Sequence, residues 1–322
     1  MTLLFSSALL GLAWFAAINA SASLVAWIFG RFMIQRPGRF GAGMLLTVRL
    51  LPAVASSVFV LAVFLPAHWR FEPADADESL GFVLGTVAAI GLWLVLRGAW
   101  RAVRAGLAGH RFAAMARRET SLVEADGYKS FVDVFLLEGL PGVSLAGIWR
   151  PRILIGSDAA ATLTPAELDV AISHEIAHRR SQDNLKRFLI FCAPDLFAWT
   201  AVARQLGEQW EAEAECEADA YAVMADGHRA VMLASALVKV ARFGCATSFH
   251  PVSPAWSAFH VPTLLEMRVR RLVSGPALPP VSAGKLGWCS ATLSLGISTG
   301  LWLIGFSYTL HLVTETMVTR LP

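Results

Sequence analysis

The apolar excess of the chain is concentrated in four runs that contain no Lys, Arg, Asp or Glu: residues 1–30, 50–69, 80–96 and 286–314. A bilayer crossing takes about 20 consecutive apolar residues in a helix. Each stretch therefore predicts a transmembrane helix, over about 3–29, 50–69, 80–96 and 286–314. Ala20-Ser21-Ala22 resembles a signal-peptidase site, but no Lys or Arg precedes the first run and its hydrophobicity continues past that point, which favours a retained span. A further apolar stretch, Phe188 to Val202, is interrupted by Pro194 and Asp195. It is short for a crossing and is expected to be a buried or membrane-surface helix.

Between the third and fourth runs the pattern changes. Residues 130–137, 143–148 and 153–155 are rich in β-branched and apolar residues and are separated by Gly139, Pro141-Gly142 and Pro151, as expected for strands of a small sheet. Thr164-Pro165-Ala166-Glu167 has the form of a helix start, with a capping Thr, a Pro in the first turn and a Glu three residues on. Helical blocks are predicted from there to about Arg180, over 186–225, and over 229–242. Residues 243–262 read as a long loop, and 275–284, with three prolines, as a linker.

Charge sharpens this division. The 322 residues carry 27 Lys and Arg against 24 Asp and Glu, too mild an excess to argue for nucleic acid. Of these, 21 basic and 19 acidic residues fall in 97–285, so the low overall share of charge, 16%, blends an apolar anchor with a domain of ordinary composition. The four cysteines, Cys192, Cys216, Cys245 and Cys289, have no paired spacing and read as free thiols. Basic residues in short loops mark the cytoplasmic side. The first connection carries Arg31, Arg36, Arg39 and Arg49, and the second carries Arg70 among Glu72, Asp75, Asp77 and Glu78. Residues 97–118 and 268–285 are also basic. The chain is thus expected to be a mainly α, multi-pass protein of the inner (cytoplasmic) membrane: three spans in 1–104, a cytoplasmic α+β domain over 105–285, the fourth span over 286–314, and both termini outside, with 315–322 a short external tail.

The candidate chemistry lies in that domain. His174-Glu175-Ile176-Ala177-His178 falls within the first predicted helix, where residues four apart project from one face and both imidazoles can reach one zinc ion. Glu175 sits beside them, placed to take a proton from a water molecule at such an ion. A third ligand is offered by the run from Glu211 to Asp219. Glu215 and Asp219 share a helix face, so one carboxylate can bind metal while the other accepts a hydrogen bond from a ligating imidazole. Glu211 shares that face, and Glu213 or Glu217 would serve in another register.

Taken together, His174 to His178, the following Arg179-Arg180-Ser181-Gln182-Asp183-Asn184-Leu185, the apolar segment with Pro194, and Glu215 with Asp219 resemble the integral-membrane zinc metallopeptidases typified by the beta-lactam sensor-transducers. Those have three spans, a cytoplasmic gluzincin domain and a fourth span. The membrane proteases that process CaaX-type prenylated proteins, with their bacterial heat-shock relatives, share both motifs, and Glu-Ala-Asp ending at Asp219 is slightly nearer to them. The resemblance implies one zinc ion held by His174, His178 and Glu215, Glu175 as general base, and Asp219 behind the ligands. It implies a protein or peptide substrate, with a transcriptional repressor among the candidates. In the CaaX-processing relatives a His-Pro pair followed by Arg supports the oxyanion. Here His260-Val261-Pro262 before Arg268 is a loose match, His250-Pro251 competes, and His228 has no motif support. The edge strand along which gluzincins bind substrate is expected at Ile153, Leu154, Ile155 and Gly156. The chain ends at Pro322, just beyond the fourth span, so the external drug-binding domain of the beta-lactam sensors is expected to be missing. The implied activity is zinc-dependent endopeptidase action, in regulatory signalling or in housekeeping; a non-enzymatic zinc-binding membrane scaffold is the alternative.

Overall fold

A computed structural model of the protein describes residues 3–71, 81–122, 134–138, 140, 142–244, 256–258, 264–275, 309, 312–314 and 316. The chain divides into two compact units: Met1–Trp100 with Cys192–Gly207 and Val281–Pro322, and Arg101–Phe191 with Glu208–Pro280.

In the first unit the apolar runs form long helices. These are α1 (Leu3–Ile34), α2 (Ala42–Val58), which continues through a π-helical segment at Phe59–Phe64 into α3 (Leu65–Phe71), and the first half of α4 (Phe82–Glu119). Three of the resulting helices are long and apolar enough to cross a membrane: Phe5–Ile34, Ala42–Phe71 and Phe82–Gly109. The expected fourth span and tail fall almost wholly outside the described residues. Leu10 and Ala13 of α1 pack with Phe64, Leu84 and Ala88. At Gly91 of α4 an added Cβ would stand 2.1 Å from the Leu12 carbonyl oxygen, so glycine is what permits this approach to α1.

Helix α2 begins at Ala42, not near residue 50, and this corrects the reading of Arg49 as a loop charge. Arg49 lies inside the helix and is buried. The third span likewise continues as helix, so Arg97, Arg101 and Arg104 ride on α4 itself.

The second unit is built on a five-stranded sheet of order β1-β2-β4-β3-β5, with β1 at Thr120–Leu122, β2 at Val134–Leu137, β3 at Val143–Ala146, β4 at Arg152–Gly156 and β5 at Trp256–Ala258. Strand β4 pairs parallel with β2 and antiparallel with β3. Its residues Ile153, Leu154, Ile155 and Gly156 are therefore central and buried, which corrects their assignment as a substrate-binding edge: both sides of the backbone are already hydrogen-bonded, and the outermost strands among the described residues are β1 and β5. An uninterrupted apolar run is what a strand covered on both faces requires. At Gly156 an added Cβ would fall 1.8 Å from the Leu140 carbonyl oxygen, so the chain can leave the sheet there only as glycine.

Helix α5 (Ser157–Thr162) follows, then α6 (Pro165–Ser181), α7 (Asp183–Cys192), α8 (Ala201–Val223), α9 (Gly227–Gly244) and α10 (Leu265–Val273). One core joins the sheet to the helices: Val143, Leu145, Ile153 and Ile155 pack with Val170 and Ala171 of α6, Leu233, Leu237 and Val240 of α9, and Leu272 of α10. The single helical block expected over 186–225 is two helices, because residues 193–200 are not helical. Pro194 removes a backbone donor and disfavours helix at the residue before it. Helix α8 starts in the first unit and continues into the second from Glu208.

Candidate metal centre

Helix α6 is fixed at both ends. Thr164 and Glu167 form the expected capping box: the Thr164 hydroxyl accepts from the Glu167 amide at 3.3 Å, and Glu167 Oε2 accepts from the Thr164 amide at 2.8 Å. Glu167 also accepts from Ser235 at 2.6 Å and Lys239 at 2.7 Å, both on α9. Burial alone would raise its pKa, but Lys239, Ser235 and Thr164 outweigh burial and hold it at about 2. The helix stops where Gln182 takes a left-handed conformation, φ 56°, and Asp183 at once opens α7.

That turn places the site. His174, Glu175 and His178 are each fully buried. The two imidazoles face each other through Nε2, 3.0 Å apart. Glu215 of α8 meets both, its Oε2 3.3 Å from His174 Nε2 and its Oε1 3.4 Å from His178 Nε2. The opposite ring nitrogens are engaged by carboxylates: His178 Nδ1 with Asp183 at 2.8 Å and His174 Nδ1 with Asp219 at 3.0 Å. Asp219 lies one turn beyond Glu215 on α8. With each Nδ1 hydrogen given to a carboxylate, the Nε2 lone pairs and the Glu215 carboxylate converge on one point. Lone pairs gathered in this way call for a cation, and His174, His178 and Glu215 are a group that could hold a metal ion.

The surrounding field has the same sense. Burial works to lower the His178 pKa, but Glu215 and Asp183 overcome it and raise it to about 10. Glu215 and Asp219 resist the upward push of burial and are held below the usual carboxylate range, Glu215 chiefly by His178 and Arg268, Asp219 chiefly by Arg268 and His174. Asp183 is lowered against burial by His178 and Lys186.

Glu175 differs from its neighbours. It is fully buried, and neither of its carboxylate oxygens has a hydrogen-bond partner. Burial raises its pKa to about 7, opposed by His178 and His174 and reinforced by Glu215. A buried carboxylate beside convergent metal donors, with both oxygens unspent, has the capacity to take up a proton near neutrality.

Three cations complete the centre, and sequence reasoning assigned them no such place. Arg268 of α10, read as part of a basic flank and a loose oxyanion motif, is buried. It donates to both oxygens of Asp219, at 2.8 and 2.5 Å, and lies 3.0 Å from Glu215 Oε2. Arg187 of α7 donates to Glu215 Oε1 at 3.2 Å, and Lys186 to Asp183 at 2.8 Å. Arg268, Arg187 and Lys186 thus hold the three carboxylates Asp219, Glu215 and Asp183 in place around the imidazoles, while Glu175 accepts a hydrogen bond from none of them. The signal for α7 was present: Asp183, Lys186 and Arg187 occupy one helical face. Asn184 on the same helix donates to the carbonyls of Leu145 and Gly147, at 3.1 and 2.9 Å, and ties α7 to β3.

The structure therefore brings together His174, Glu175, His178, Glu215 and Asp219. Glu213 and Glu217 take no part in the cluster, and Glu211, half-buried one turn before Glu215, has its pKa raised by burial. Strand β4 lies in the sheet interior, and His260 and His250 lie outside the described residues. No protein-family model matches the chain, and no curated protein matches it.

Proposed function

We propose that the chain is an integral-membrane zinc metalloendopeptidase. The observation that carries this reading is the convergence of His174, His178 and Glu215 beside Glu175, a buried carboxylate with two unspent oxygens. Zinc is favoured by the donor set, two imidazoles and one carboxylate.

A bound zinc ion would supply Lewis acidity for a scissile carbonyl and lower the pKa of water beside it. Everything else falls to the chain. His174, His178 and Glu215 hold the ion; Asp219 and Asp183 orient the imidazoles, and Arg268 and Arg187 orient the carboxylates. Glu175 takes the proton of the attacking water and delivers it to the leaving amine. A structural zinc site has no use for a buried, unpaired carboxylate next to its ligands, which weighs against the scaffold alternative.

The apolar runs support four spans with the peptidase domain in the cytoplasm of a cell with an inner membrane. With Arg49 buried inside α2, Arg31 in the last turn of α1 and Arg36 and Arg39 just after it still outnumber the single Arg70 at the end of α3. Substrates are then cytoplasmic or membrane-proximal proteins, in a regulatory role such as cleavage of a repressor, or in housekeeping of the CaaX-processing type. Purified full-length protein should carry one zinc per chain, and Glu175→Gln should keep the zinc while losing cleavage. Cellular peptide termini compared between wild type and Glu175→Gln distinguish the roles: one changed cleavage marks a regulator, many mark housekeeping. A chain without stoichiometric zinc, or unchanged proteolysis in Glu175→Gln, overturns the proposal.

A further inference from the structure

The break between α7 and α8 belongs to the first unit, not to the one that carries the metal donors. Residues 193–200 are non-helical backbone seated against apolar helices, where unpaired peptide groups are tolerated only if protein satisfies them. Asn19, near the middle of the Phe5–Ile34 span and fully buried, does this directly: its amide donates to the Pro194 carbonyl and its oxygen accepts from the Leu196 amide, both at 3.0 Å. Asp195 is the centre of the arrangement. Its Oδ1 accepts from Ser23 at 2.9 Å and from the Phe197 amide at 2.8 Å, and its Oδ2 accepts from Arg49 at 2.6 Å. Thr200 then caps α8 by accepting from the Ala203 amide. Glycines admit the segment on two sides. An added Cβ at Gly98 of α4 would lie 2.8 Å from the Cys192 carbonyl oxygen, and one at Gly30 of α1 would lie 2.5 Å from Leu206.

Arg49 and Asp195 are charged residues within or against candidate spans, where they are costly and tend to serve function. A buried pair of this kind contributes little net stability compared with apolar packing; its best-attested use is to fix one register. The register in question is that of α8. From Ala201 the helix is continuous through Glu215. We infer that Asp195, locked to Arg49, is a positioning residue for the metal centre: it fixes the start of α8 and so the register of Glu215, and it makes that ligand answer to the packing of the spans. This rests on the reading of His174, His178 and Glu215 as a zinc site, and it supplies a route by which an event in the membrane alters the peptidase.

The test uses the full-length protein in lipid nanodiscs, with zinc affinity read by chelator competition and amide exchange read on the zinc-free protein. Asp195→Asn strands Arg49 and is open to misfolding, so the deciding variant is Arg49→Met with Asp195→Leu, which leaves no buried charge. The expected result is about a tenfold loss of zinc affinity, the lower end for residues supporting metal ligands, with faster exchange from residue 196 into the part of α8 beyond 208. Arg49→Lys, which keeps the charge, should retain most of both. Wild-type affinity in the double variant, or faster exchange confined to 193–206, overturns the inference. If the wild type binds no zinc, the functional reading fails on its own, and exchange beyond residue 208 still decides whether Asp195 sets α8.

Discussion

The protein contains two buried polar clusters of opposite character. Around Asp195 the bonding is closed: both carboxylate oxygens, both ends of the Asn19 amide and the backbone of Pro194, Leu196 and Phe197 are matched within one unit. Around Glu175 it is open: two imidazole lone pairs and a carboxylate converge, and both Glu175 oxygens lack a partner although no solvent reaches them. Leaving buried polar groups unmatched costs about 1–3 kcal/mol each; the open cluster carries that cost and could hold a metal ion, whereas the closed one is satisfied by the protein itself. The two therefore should respond oppositely when a carboxylate is replaced by its amide.

The largest difference is expected from that replacement itself. Glu175→Gln breaks no hydrogen bond of the protein, so zinc content should be retained and thermal stability should not fall, while turnover drops by about 10²–10⁴, the usual contribution of a general base. Asp195→Asn leaves the Arg49 guanidinium buried without its counter-charge, and removal of one partner from a buried pair costs about 3–5 kcal/mol. Paired melting curves and zinc assays on the two variants check this. If Glu175→Gln melts as early as Asp195→Asn, Glu175 is a structural group and the contrast fails.

Next in size is Asp183→Asn. Asp183 accepts from His178 and from Lys186 and touches no metal donor position itself. Loss of such a partner typically lowers metal affinity 10–100-fold. Chelator competition should show that loss with one zinc per chain still bound at saturation. Unchanged affinity would mean that the Gln182 turn and the α6 backbone alone orient the His178 ring.

Much of the open cluster was readable along the chain because its signals are local. His174 and His178, and Glu215 and Asp219, are four apart on helices, and the Thr164-to-Glu167 capping box announces the helix that carries the first pair. The closed cluster was hidden because its partners are distant. Arg49 and Asp195 are 146 positions apart, and Arg49 looks like the last member of a basic loop until α2 is seen to begin at Ala42. Arg268 was noticed for the wrong reason: with Arg270 and Arg271 it reads as a topological flank, and only tertiary packing on α8 separates the buried guanidinium of Arg268 from the half-buried Arg271 and the exposed Arg270. Strand β4 shows the same limit. An apolar run specifies burial, but whether its edges are free depends on β2 and β3, which no local pattern reveals.

A smaller effect tests whether the scaffold of the open cluster is itself closed. Glu167 joins α6 to α9, and its pKa falls from an ordinary 4.5 to about 2 on folding through Lys239, Ser235 and Thr164. A carboxyl lowered on folding contributes stability that is fully present above its unfolded pKa and is lost as pH falls from about 4.5 through about 2. Glu167→Gln should therefore cost about 1–3 kcal/mol at pH 7 and progressively less toward pH 2. Unfolding free energies of wild type and variant should converge over that window; parallel curves would show that the Lys239 contact does not set the pKa.

The smallest effect lies on the helix that links the clusters. Gly207 sits inside α8, at the boundary between the two units, and an added Cβ there meets nothing within 4 Å. Glycine in a helix interior costs about 0.5–1 kcal/mol relative to alanine, so Gly207 lowers the stability of α8 at this joint. Gly207→Ala should raise unfolding free energy by about that amount and slow amide exchange across 204–211. If Glu215 takes its register from Asp195 along α8, stiffening this joint should also enlarge the loss of zinc affinity produced by Arg49→Met with Asp195→Leu. Strictly additive effects would place the origin of the Glu215 register in the second unit alone.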